Sequence, residues 1–198
     1  MPAKTWDEEK IKKILSRETQ LEMRAKTVLD AQKEPYSLQL LLEPKEAMLM
    51  CTQILKLLAG KKIIHITANT PYKKLVAELE QNSIGTHNFF FIDLLSPQAE
   101  NNEPHENAIS LESPKNLAEC LEETERALEE INSPVVIVDS VSTLLVYNDK
   151  SSVEKFVHSL ISKVNSAKAS VILLNTDVKE QETVTKTISQ FTEKTIIV

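Results

Sequence analysis

The feature that most constrains the fold is an alternation of short apolar runs with segments of helical periodicity, which begins at Tyr36 and continues to the last residue. In VVIVD, for example, every residue before the final aspartate is apolar, which is typical of strands buried on both faces of a parallel sheet. The pattern therefore predicts an α/β fold, a three-layer αβα sandwich around a mainly parallel sheet. The predicted strands cover residues 37–42, 62–67, 89–93, 135–139, 170–175 and 194–198.

Helical patterns fill the segments between the predicted strands. They cover residues 45–59, 71–81, 152–167 and 182–191, and Pro114 opens a further, acidic helix. Residues 5–33 predict a long amphipathic helix, which Thr5 caps and Glu34-Pro35 ends. Its apolar stripe predicts packing on the sheet domain or on a partner, with a free coiled coil as the alternative. The chain thus divides into an N-terminal helix at 1–34 and an α/β domain at 35–198.

The composition fits one domain with an appendage, because 198 residues of which 41% are hydrophobic can bury a substantial core. No apolar run approaches the roughly 18 residues that cross a bilayer. The start, MPAKTWDEEKIKK, has acidic residues where a signal peptide needs an apolar core. Cys51 and Cys120 lack CxxC spacing and are predicted to be buried free thiols. These features predict a cytoplasmic protein without membrane association.

The net charge of −6 is concentrated in residues 98–131, which hold ten glutamates against Lys115 and Arg126. Such a segment repels nucleic acid. Two interpretations of this segment stay open. The first is a solvated helix face beside a flexible acidic loop, and the second is a site for a basic partner protein.

Polar side chains gather where the predicted strands end, and ligands bind at this edge of open parallel sheets. Asp139, at the end of VVIVD, stands where a strand delivers a magnesium-orienting carboxylate, although an aspartate there also caps the next turn or helix. The candidates at this edge are Glu43, Lys45, Glu46, Asn69, Thr70, Asp93, Asp139, Ser140, Asn175, Thr176 and Asp177.

Other chemistries find no support in the sequence. His65, His87, His105 and His158 show no metal-ligand spacing, so no metal site is predicted, and His65 is interpreted as a histidine of the core or rim. GxSxG, HExxH and GxGxxG are all absent from the chain. The aromatic run 89–91 fits a core strand better than a platform for stacking bases.

The order of the segments GKKIIHITANTPYKKLVAEL, FFFIDLLS, VVIVDSVSTLLVY, SVILLN and FTEKTIIV resembles the RecA-like family and, within it, the KaiC-like ATPases. The resemblance covers roughly residues 36–198. It implies a sheet order of 3-2-4-5-1-6 for the six predicted strands. It also implies that residues 37–42 precede the Walker A position, that Asp139 is the Walker B aspartate, and that Asn175 ends the sensor strand.

The chain departs from that family at the residues that handle phosphate. A Walker A loop, GxxxxGK[ST], uses glycines to bring backbone N–H groups close to phosphate, yet this position reads EPKEAMLMCTQ. The only glycines are Gly60 and Gly85. Asn69-Thr70 replaces the family's glutamate pair, which activates water. The sequence therefore predicts no ATP hydrolysis, no catalytic residues, no cofactor, and a vestigial site at Lys45, Asn69, Asp139, Ser140 and Asn175.

These observations predict a non-catalytic RecA/KaiC-like domain that binds proteins as a regulatory subunit, with a RecA-like ATPase or a second copy as the partner. The N-terminal helix and the acidic segment 98–131 are its candidate surfaces. The alternative is a domain that holds a small polar ligand or nucleotide with Lys45, Asn69, Asp139 and Asn175. Nucleic-acid binding after the fifth strand is a weaker hypothesis, since Asp177, Glu180 and Glu182 offset Lys179.

Overall fold

A computed structural model of the chain describes residues 16–96, 106–176 and 182–198. Its strands are β1 (Ser37–Leu42), β2 (Ile63–Thr67), β3 (Phe89–Asp93), β4 (Ala108–Ser110), β5 (Val135–Asp139), β6 (Ser170–Thr176) and β7 (Lys194–Ile197). They form one sheet in the order β4-β3-β2-β5-β6-β1-β7. All neighbouring strands in it are parallel. The predicted α/β fold with a parallel sheet is confirmed.

The sheet differs from the predicted order by one added edge strand. The six predicted strands lie in the order 3-2-4-5-1-6, and β4 is added beside β3, with Ala108 opposite Phe91. The sequence predicted no strand at residues 108–110, which is wrong. The three residues of this strand, Ala108, Ile109 and Ser110, are too few to show a period-2 pattern.

The helices of the described residues are α1 (Arg17–Asp30), α2 (Ala47–Leu58), α3 (Tyr72–Gln81), α4 (Leu117–Glu130), α5 (Val141–Tyr147), α6 (Lys150–Ser166) and α7 (Glu182–Ile188). All of them except α5 occur near their predicted positions. Helix α5 follows β5 directly and starts at Ser140, whose Oγ accepts a hydrogen bond from the Thr143 N–H at 3.3 Å. Its sequence, VSTLLVY, is rich in β-branched residues, which favour strands, so the sequence did not reveal it.

The helices cover both faces of the sheet and create two hydrophobic cores. One core lies under α1, α2 and α3 and includes Leu21, Met50 and Leu75. The other lies under α4 to α7 and includes Leu144 and Phe156. Successive residues of a strand face opposite cores, as the side-chain period of two requires. The predicted three-layer arrangement is confirmed.

Helix α1 packs on α2 and is part of the first core. Leu21 and Ala25 are each 1% exposed and contribute to that core. Arg17 and Arg24 extend from the same helix to Glu46, with both N–O distances at 3.1 Å. The described part of the N-terminal helix therefore packs on the sheet domain, whereas the predicted cap at Thr5 lies outside the described residues. No helix in the described ranges is long and apolar enough to span a membrane.

Candidate functional site

A cavity of about 350 Å³ opens at the carboxyl edge of the sheet, between α2, α3 and the ends of β5 and β6. Its lining carries six of the predicted edge residues: Asn69, Thr70, Asp139, Ser140, Asn175 and Thr176. Lys45, Glu43, Glu46 and Asp93 are not among the lining residues, and Asp177 lies outside the described residues. The structure thus brings four of the five residues of the predicted vestigial site to the cavity, and Lys45 is not among its lining residues.

Asp139 is the carboxylate at the centre of this edge. Its Oδ1 accepts a hydrogen bond from Asn69 Nδ2 at 2.6 Å, and its Oδ2 accepts one from the Cys51 thiol at 3.6 Å. The Thr143 hydroxyl in turn donates to Asn69 Oδ1. The cap of the following helix is Ser140, joined to Asp139 by a cis peptide bond. The Asp139 carboxylate therefore faces the cavity and does not cap α5.

Asn175, at the end of β6, ties the sheet to two helices. Its Oδ1 accepts a hydrogen bond from the Ser142 hydroxyl of α5, and its Nδ2 donates to Thr185 Oγ1 of α7 at 3.0 Å. Ser142 Oγ also accepts the Thr176 N–H at 2.7 Å. Both polar atoms of the Asn175 amide are thus occupied by contacts that hold the fold together.

The turn after β1 connects strand and helix with only residues 43–46. The Glu46 N–H donates to the Glu43 carbonyl at 2.8 Å, and Glu46 begins α2 without a side-chain capping bond. Its carboxylate pairs instead with Arg17 and Arg24. The Glu46 carboxylate therefore links the start of α2 to α1.

Asp93, the predicted edge residue after β3, has a structural role. It is fully buried, and its Oδ2 accepts the Tyr72 N–H at 2.8 Å at the start of α3. Its Oδ1 accepts the N–H groups of Leu95 and Ser96 at 2.8 and 3.2 Å. Three N–H donors thus hold this carboxylate away from the cavity.

Two functional candidates were missed by the sequence, Cys51 of α2 and His65 of β2. The Cys51 sulfur, a ring nitrogen of His65 and a carboxylate oxygen of Asp139 all lie within 4.8 Å of one another. His65 is fully buried, and both its ring nitrogens lack a hydrogen-bond partner among the described residues. Only the topology could have revealed the cluster: β2 pairs with β5, His65 lies opposite Ile137, and Asp139 follows two residues later on the same face.

Burial and the nearby carboxylate set the protonation of these two side chains. Burial lowers the pKa of His65 below its usual value, against a smaller opposing effect from Asp139. Burial also raises the pKa of the Cys51 thiol, and the negative charge and hydrogen bond of Asp139 raise it further. In the protein by itself, His65 is therefore neutral and Cys51 keeps its proton near pH 7.

The family model described as "Family of unknown function (DUF7504)" matches residues 46–195. Among solved structures, the fold is similar to that of the KaiC-like protein PH0186 from the hyperthermophilic archaeon Pyrococcus horikoshii OT3. That match has a TM-score of 0.58 and 12% sequence identity, and covers 83% of this chain and 71% of the other. No curated protein matches the sequence. At this identity the likeness shows the fold alone, and that fold is the one that the resemblance to the KaiC-like proteins implies.

Proposed function

We propose that this chain, which belongs to the DUF7504 family, is a non-catalytic RecA/KaiC-like domain that binds another protein as a regulatory subunit and does not hydrolyse ATP. The observation that carries the proposal is the turn after β1. It has four residues and includes Pro44, which has no N–H to offer a phosphate. The Glu46 N–H already donates to Glu43, and the Glu46 carboxylate is held by α1.

The charges around the cavity also disfavour a nucleotide triphosphate. Among the described residues, the charged side chains that line it are Lys74, Glu78 and Asp139, which sum to −1. Lys74 already lies 3.7 Å from Glu78, and the exposed Lys45 is not among the lining residues. The residues present therefore do not fit Mg²⁺-ATP, which needs a lysine and N–H groups on its phosphates.

The position after β2 offers no general base. Asn69 stands where the resemblance implies a glutamate, and an amide cannot accept the proton of an attacking water at neutral pH. Its oxygen and nitrogen are both occupied, by Thr143 and Asp139. This arrangement supports a site that has lost hydrolysis.

Exposed apolar side chains beside the cavity supply a surface for a protein partner. Met48 is 70% exposed and lines the cavity, and Leu49 next to it is 42% exposed. Methionine adapts its shape to a partner surface. In α1, by contrast, the apolar residues Leu21 and Ala25 are buried within the chain. Of these two helices, α2 therefore offers the better interaction surface, at its start. A RecA-like ATPase subunit or a second copy of this chain is the partner that the fold favours.

Titration with Mg²⁺-ATP tests the absence of nucleotide chemistry. We expect no change in melting temperature and no phosphate release, and Asp139→Ala to behave like the wild type. A rise in melting temperature that Asp139→Ala abolishes would contradict the proposal.

Light scattering and affinity purification from the native source test the interaction. We expect the wild type to be a dimer or to recover a RecA-like ATPase, and Met48→Glu to weaken that association at least tenfold. Met23→Glu, on the 54% exposed methionine of α1, is the matched control and should leave it unchanged. A monomer that recovers no partner would count against the proposal, as would equal effects of the two variants.

A second candidate function is the binding of a small polar ligand in the cavity. The observation that favours it is a volume of about 350 Å³ lined by Asn69, Asp139 and Asn175, which is within the range of small-molecule sites. Lys45, which the sequence had included, is not part of that lining. A thermal-shift screen with ATP, ADP and cyclic nucleotides, with and without Mg²⁺, distinguishes the two candidates.

A further inference from the structure

We propose that Cys51, His65 and Asp139 form a binding site for a divalent transition metal, and that Zn²⁺ is the ion that suits it best. The inference does not depend on the proposed interaction function, since a metal bound there could be structural or reactive. It rests on the arrangement of three side chains from three elements, and on the ring nitrogens of His65, which have no hydrogen-bond partner among the described residues.

The three ligands converge because of how the sheet and α2 are arranged. His65 and Asp139 lie on neighbouring strands and point to the same face, two residues apart in register. Helix α2 packs over that face and places Cys51 above them, with the remaining core contacts of the helix made by residues such as Met50 and Ile54. Rigid elements thus hold each ligand, as a metal site requires.

The surroundings of His65 indicate that a ligand binds there. A buried polar atom without a hydrogen-bond partner costs stability, and such atoms in a folded protein are uncommon. Both ring nitrogens of the fully buried His65 are in this state among the described residues. One of them lies within 4.8 Å of both the thiol sulfur and the carboxylate. A metal ion would satisfy that nitrogen, and neutral imidazole is the form that binds metals.

The distances suit a tetrahedral ion. With Zn–S near 2.3 Å and Zn–O near 2.0 Å, two ligands of one tetrahedral zinc lie about 3.5 Å apart. The separation of Cys51 Sγ and Asp139 Oδ2 is 3.6 Å. The ligand atoms are nowhere more than 4.8 Å apart, so side-chain movements of about 1 Å complete the geometry. Asn69 holds the other oxygen of Asp139 at 2.6 Å and so orients the carboxylate.

The ligand types and charges identify the class of metal. Sulfur and imidazole nitrogen exclude Mg²⁺ and Ca²⁺, which prefer oxygen ligands, and favour Zn²⁺ and similar ions. Binding displaces the thiol proton of Cys51 to solvent, so that one thiolate and one carboxylate balance the two charges of the metal. Cys51 and Asp139 also line the cavity, which leaves a fourth coordination position there for water or a small ligand atom.

Cobalt titration of the tag-free, metal-stripped chain tests this site. Co²⁺ replaces Zn²⁺ in such sites and gives a sulfur-to-cobalt absorption band only when a thiolate binds it. We expect one Co²⁺ per chain with this band, and loss of the band when Zn²⁺ displaces the weaker-binding cobalt. Because the chain has two cysteines, Cys120→Ala is the matched control and should keep the band, whereas Cys51→Ala should lose it.

Loss of a ligand should weaken metal binding more than the roughly 10–100-fold that loss of an outer hydrogen-bond partner costs. We expect this of Cys51→Ala, His65→Gln and Asp139→Asn. Zn²⁺ at about 100 times its dissociation constant should raise the melting temperature of the wild type by about 5–10 °C, and this readout also shows whether each variant is folded. A wild type without the band, or a band that survives Cys51→Ala, would overturn the proposal. The Mg²⁺-ATP titration leaves this test unaffected, so the two proposals fail separately.

Discussion

Substitution of Leu21 tests whether α1 is an integral part of the domain. Leu21 is 1% exposed and packs in the core formed by α1, α2 and α3. Leu21→Ala removes the isopropyl part of a nearly fully buried side chain and leaves a cavity, which costs about 2–5 kcal/mol in well-packed cores. Because α1 forms the outer side of this core, it is able to shift and fill part of the space, so we expect about 2–3 kcal/mol.

The assay is thermal and urea unfolding followed by circular dichroism. For a chain of this size, each kcal/mol lowers the melting temperature by about 2–4 °C, so Leu21→Ala should melt about 4–12 °C below the wild type. Met23→Ala, at a 54% exposed position of the same helix, is the matched control, because both changes place alanine in a helix. It should stay within about 0.5 kcal/mol of the wild type. Equal melting temperatures for the two variants would refute the conclusion that α1 unfolds together with the sheet.

Two further substitutions test other assignments. Asp93→Ala leaves three backbone N–H groups without their acceptor, so urea unfolding should show a loss of about 3 kcal/mol or more in the free energy of unfolding. Asp93→Asn keeps one carboxamide oxygen as an acceptor and should lose less. An Asp93→Ala variant as stable as the wild type would contradict a structural role. Burial, with a smaller contribution from Glu34, raises the pKa of Tyr36 from 10.0 to about 12. The folded protein therefore keeps a proton that the unfolded chain releases above pH 10, and stability falls as the pH rises from 10 to 12. Tyr36→Phe should lose less stability over that range than the wild type or the exposed-site control Tyr147→Phe, and a parallel decline of all three would disprove the assignment.

The fold was predictable because most of its strands are long enough for their apolar residues to indicate burial on both faces. VVIVD and SVILLN are apolar on both faces, which only a central parallel strand requires, and the order of segments resembles that of a known superfamily. The elements that were missed are short. Strand β4 has three residues and depends on its pairing with β3, while α5 depends on the Ser140 cap and on packing of Leu144 into the core. Tertiary contacts decide such elements, and local sequence does not encode them.

The candidate site was only partly predictable. The rule that strand ends meet at one edge correctly placed Asn69, Asp139, Ser140 and Asn175 around the cavity. It could not place Lys45, since the direction of a side chain in a short turn depends on the turn's own conformation. Nor could it find the cluster of Cys51, His65 and Asp139. His65 follows Cys51 by 14 residues and precedes Asp139 by 74, so the three side chains meet only through strand pairing and helix docking.

The link between α1 and Glu46 limits how a phosphate-binding loop could be introduced into this chain. A phosphate loop of about eight residues would have to replace the four-residue turn, and the start of α2 would move with it. That movement would separate Glu46 from Arg17 and Arg24, and it would pull on a helix whose Leu21 lies in the core. Point substitutions that introduce glycines and a lysine would therefore be insufficient. A phosphate loop would require an insertion together with a new way to dock the N-terminal helix, so the two parts of the chain can only change together.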